Sequence, residues 1–153
     1  MEIKKKYCEL EKKYKLPSYL LLSQEFEIEK IDTETDFPLR AVRKVMMDKV
    51  LGFLSFLERL STNPTGLPRI YYPYIKSMTN DDKNEIEKIY FALGELSLLS
   101  FELEIDSTEK EEADMIKHIL ALWQAQKASM KKLAKQIHKP QEKEIRKDKN
   151  YFG

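Results

Sequence analysis

The chain has 153 residues, 42% hydrophobic and 35% charged, with a net charge of +1 and a mean hydropathy of −0.56. That is the length of one domain and enough to bury a core without staples. A single cysteine, Cys8, excludes an internal disulfide and a Cys-based zinc cluster. It suits a reducing, cytoplasmic setting. The N-terminus has no apolar signal core, and no apolar run approaches the roughly 20 residues that span a bilayer, so no membrane association is expected.

Residues 1–15 place Ile3, Tyr7, Leu10 and Tyr14 at helical spacing among lysines and glutamates, which predicts a short amphipathic helix. Leu16-Pro17-Ser18 breaks it, because proline restricts the residue before it. A second short helix is expected from Ser18 to Phe26. The acidic stretch Glu27–Asp36 follows as a connector lying on the fold.

Three longer blocks then carry apolar residues every three or four positions. The first, Leu39–Leu60, has the stripe Leu39, Val42, Met46, Val50, Phe53, Leu57 and Leu60. Met47, Leu51 and Leu54 widen it onto another face. A helix apolar over so much of its circumference is central or shared with a second chain. Thr35 or Asp36 is the expected N-cap, with Pro38 in the first turn. Gly52, in mid-helix, suggests close approach of another helix. Asn63-Pro64-Thr65-Gly66-Leu67-Pro68 ends the block.

The second block, Asp81–Ile105, follows a cap at Thr79 or Asn80 and is expected to bury Ile86, Ile89, Tyr90, Leu93, Leu96 and Leu103. The third, Thr108–Ile137, buries Ile116, Ile119, Leu120, Trp123, Met130, Leu133 and Ile137, and Pro140 ends it. The link between them is so short that they must form an antiparallel hairpin. The expected fold is all-α: an antiparallel three-helix core bundle with an N-terminal helical segment. Residues 1–140 form one domain, and 141–153 a disordered basic tail.

Charge is unevenly spread. The ends are basic (+3 over 1–15 and +6 over 127–153) and the middle, 16–126, is acidic (−8). Either the regions neutralise one another within the molecule, or the basic end meets an anionic partner.

The sequence holds little reaction chemistry. A di-iron bundle needs Glu-x-x-His on facing helices, yet the residues three before His118 and His138 are Met115 and Lys135. The four glycines are isolated, so there is no phosphate-cradling loop, and there is no Gly-x-Ser-x-Gly elbow. No cofactor or metal is expected, and the balance leans away from an enzyme. A helical enzyme of unfamiliar type would need a polar cleft containing His118.

Two features remain. The connector Leu67–Met78 gathers Arg69, Tyr71, Tyr72 and Tyr74, residue types that anchor interfaces or stack on unpaired bases. The plainer alternative is that the tyrosines close the bundle end. Arg40, Arg43 and Lys44 crowd the first turns of the 39–60 helix, against its dipole. They could hold a phosphate or carboxylate, or be neutralised by Glu27–Asp36.

The leading expectation is a non-enzymatic protein-interaction module, an adaptor or assembly factor, binding a protein partner or a second copy of itself. Its contacts are Met47, Leu51, Leu54, Arg69, Tyr71, Tyr72 and Tyr74. The alternative is an RNA- or single-stranded-DNA-binding protein using Lys131, Lys132, Lys135, Lys139, Arg146 and Lys147 with the tyrosines.

Overall fold

The computed structural model describes residues 2–32 and 34–139. It is all-helical, and no strand occurs among the described residues. The elements are α1 (Glu2–Tyr14), α2 (Tyr19–Phe26), α3 (Pro38–Ser61), α4 (Tyr72–Ser77), α5 (Asn80–Ile105) and α6 (Glu109–Tyr151), α6 being described as far as Lys139. The expected disordered tail, 141–153, lies outside the described residues.

Helices α3, α5 and α6 pack pairwise as the antiparallel core. Its centre is aliphatic: Val42, Met46, Val50 and Leu57 of α3, Ile86, Leu93 and Leu96 of α5, and Ile116 and Ile119 of α6 are at most 1% exposed. Helices α1 and α2 lie alongside. Tyr7 is fully buried, and its hydroxyl donates to the Pro17 carbonyl at 2.7 Å. Lys13 and Tyr14 reach Glu109 of α6 at 2.9 and 2.7 Å, and Lys117 donates back to the Tyr14 carbonyl at 2.9 Å. Lys15 (φ 53°) and Glu27 (φ 56°) adopt the left-handed conformation just past α1 and α2, a usual way of stopping a helix.

Local chemistry sets the ends of the hairpin. Thr79 and Asp82 form a reciprocal capping box at the start of α5. Thr108 and Glu111 make the same exchange at the start of α6, with N···O distances of 2.7 and 3.2 Å. Ser107, one residue earlier, donates to the Glu112 carboxylate instead.

Three expectations need correction. No side chain caps α3: Phe37 occupies the N-cap position, and the Thr35 hydroxyl accepts from the Phe37 N–H. The 67–78 connector, for which the sequence predicts no helix, is partly helical. It holds a 3-10 turn at Arg69–Tyr71 and the short α4, where Pro73 falls in the first turn and forfeits no hydrogen bond. Gly52 admits no neighbouring helix within the fold, since a methyl group there would meet no heavy atom within 4 Å.

Candidate interaction surface

Helix α5 carries two apolar faces. One, through Ile86, Ile89, Leu93 and Leu96, is buried against α3 and α6. The other runs Phe91, Gly94, Leu98, Phe101, Ile105, with alternating spacings of three and four. Successive α-helical residues turn by 100°, so this row lies on nearly the opposite side of the helix. Phe91, Leu98, Phe101 and Ile105 are 67–73% exposed. Such a row matches the seam of a helix that packs on another helix. Gly94 interrupts it, and a Cβ there would enter open space.

Leu51 of α3, 44% exposed, continues the apolar surface. It lines a groove of about 590 Å³ with Phe91, Gly94 and Leu98, and a second of about 430 Å³ with Ser97 and Phe101. Leu54 and Met47, at 7% and 3% exposed, belong to the groove floors and the core. Exposed Lys88, Glu95 and Glu102 recur every seven residues along the outer edge of the row.

Of the residues singled out in the connector, Arg69 is exposed and Tyr71 and Tyr72 are half-buried. Tyr71 packs edge-on against Phe56, with centroids 5.5 Å apart. It lines an apolar cavity of about 340 Å³ with Phe53, Met130, Leu133 and His138. Tyr74 is 3% exposed, so its ring is core and offers no contact face. Burial pushes its hydroxyl up to about 12.

Lys131, Lys132, Lys135 and Lys139 are exposed on α6. Arg146 and Lys147 lie outside the described residues. His118 sits in a shallow groove with Glu102, Glu111 and Asp114. Among the described residues, no cluster of three or more His, Cys, Asp and Glu side chains could hold a metal ion, and no helix is long and apolar enough to cross a membrane.

The charge of the basic cluster on α3 is neutralised from within. Arg43 is 1% exposed and Glu112 of α6 is 3% exposed. The Arg43 guanidinium donates to both carboxylate oxygens of Glu112, to Ser100 Oγ at 2.8 Å and to Glu104 at 2.8 Å. Ser107 donates to Glu112 at 2.8 Å. Arg40 lies 3.6 Å from Glu112, and Lys44 lies 3.4 Å from Glu104. The neutralising acids thus come from α5 and α6, not from Glu27–Asp36, and four of the five Arg43 N–H donors are engaged inside the bundle.

The exposed row on α5 escaped the sequence reading, although its spacing is plain once sought. Apolar residues on two opposite faces cancel in any measure of one-sidedness. Comparison with family models, curated proteins and solved structures finds no match.

Proposed function

We propose that the chain is a non-enzymatic helical interaction module whose docking surface is the exposed row of α5 together with Leu51 of α3. The observation that carries this reading is the exposure of Phe91, Leu98, Phe101 and Ile105 on one face of a helix whose other face is already in the core. A fully exposed aromatic offers roughly 200 Å². By that measure these four side chains and Leu51 leave on the order of 500 Å² of apolar surface in water, at the upper end of what monomers expose. Polar residues rim the patch, as at protein interfaces.

The alternative, RNA or single-stranded DNA binding, draws on the exposed lysines of α6. It lacks Tyr74 as a stacking ring, and its base-contacting role would fall to the half-buried Tyr71 and Tyr72.

A photo-crosslinking residue at position 98, introduced in the cells that make the chain, tests the docking reading. The expected result is a discrete covalent adduct with a protein, absent when the same residue replaces exposed Lys12 on α1. No adduct at position 98 would overturn it.

A further inference from the structure

We infer that the occupant of the α5 face is a second copy of this chain, bound antiparallel about a twofold axis passing between Gly94 and Leu98. This rests on the docking reading above and specifies the partner.

Shape is the first argument. The row has one gap, Gly94, and bulky residues on either side of it. A twofold axis midway between positions 94 and 98 lays Leu98 of each copy over Gly94 of the other. The same operation brings Phe91 against the partner's Phe101, twice. A gap and a projection equally far from one axis make a surface complementary to itself, as an isologous interface requires. The small residue lets the helix backbones come close, while the phenylalanines close both ends.

Charge is the second. Lys88 and Glu102 stand on the same edge of α5, two heptads apart, and both are exposed. Antiparallel pairing places Lys88 of one copy beside Glu102 of the other at both ends. Parallel pairing would carry this edge of the two copies to opposite sides of the seam and make neither contact. The two Glu95 carboxylates approach near the axis at the solvent edge, where screening keeps the repulsion small.

Area is the third. Two faces of on the order of 500 Å² each cover roughly 1,000 Å², the lower bound for a specific interface. Association of this size is reversible, with dissociation constants on the order of micromolar.

Sedimentation of the full chain from about 1 to about 200 µM, a span bracketing that range, tests the inference. The expected result is a monomer–dimer equilibrium between 18.2 kDa and twice that mass. Leu98→Glu and Phe101→Glu should each raise the dissociation constant at least about tenfold while leaving the helical circular dichroism unchanged.

Orientation is read in a Cys8→Ser background. Positions 91 and 101 lie about 15 Å apart along the helix. Phe91→Cys and Phe101→Cys should therefore form a disulfide with each other when mixed, and neither should crosslink efficiently to itself. Self-crosslinking at both positions would overturn the antiparallel arrangement. A monomer at every concentration, or a dimer indifferent to both glutamate substitutions, would overturn the second copy as occupant. The photo-crosslink at position 98 separates the two levels. An adduct with a different protein would keep the docking reading and reject the self-association.

Discussion

Arg43 of α3 and Glu112 of α6 meet in the interior of the bundle, and both carboxylate oxygens accept from the one guanidinium. Each is almost wholly removed from water. Burying a charge is costly unless it is paired and hydrogen-bonded. Here Ser100, Ser107 and Glu104 complete the set. Arg43→Met should therefore cost about 3–5 kcal/mol, because it strands a buried carboxylate. Arg43→Met combined with Glu112→Leu should cost clearly less than the two single changes added together. Urea denaturation of the four proteins measures the coupling. A single-substitution cost below about 1 kcal/mol would mean that water reaches the pair.

Tyr74 offers the opposite case. Its hydroxyl is buried and finds no hydrogen-bond partner among the described residues. Tyr74→Phe removes an unsatisfied polar group and little volume, so it should be neutral or stabilise by up to about 1 kcal/mol. A loss of more than that in thermal or urea unfolding would reveal a partner for the hydroxyl.

Acid should loosen the contacts of α6 with α1 and α2 and those between α3 and α5. The Lys127 ammonium holds the Glu25 carboxyl below its ordinary 4.5, with Trp123 Nε1 also donating to it. Arg43 does the same for Glu104. Tyr14 and Lys13 do so for Glu109. A depressed folded-state value means the stabilisation is complete above the unfolded value and disappears as pH falls through the folded one. Melting temperature should therefore be flat near neutrality and decline below about pH 4.5. Glu25→Gln should lower the neutral plateau and make the decline shallower. An unchanged acid limb in that variant would remove Glu25 from the account.

The two mid-helix glycines of α3 and α5 should part company. At both positions an added methyl enters open space within one copy. Gly52→Ala and Gly94→Ala should each stabilise the monomer by up to about 1 kcal/mol through helix propensity. Gly94→Ala should also weaken self-association, because the partner's Leu98 lies over that position, whereas Gly52→Ala should not. Equal effects on association would displace the axis from Gly94.

The architecture was legible where one apolar face dominates. The stripes of α3 and α6, the break at Pro17 and the short link after Ile105 each follow from spacing or backbone chemistry, and each is present. The short α4 was hidden because six residues are too few to show a period. The role of Glu112 was hidden for another reason. Acids are expected in the first turn of any helix, so nothing local distinguishes it from Glu111, which caps the helix while Glu112 turns inward. The same limit applies to Arg43, whose partners lie 57 to 69 positions away. Of the proposed contact residues, Leu51 lies on the surface that α5 completes. Met47, Leu54 and Tyr74 went to the core because apolar pattern alone does not separate a face turned inward from one left open.

The docking face of α5 belongs to a helix whose opposite side is held by α3 and α6 and whose C-terminal end is tied through Asp106, Ser107 and Thr108 to its hairpin partner. Its backbone is ordered before any encounter, so docking requires rotamer adjustment and no folding. Association is then expected to run at the rates of rigid surfaces, about 10⁵–10⁷ M⁻¹s⁻¹. Variants of the row should act mainly by shortening the lifetime of the complex.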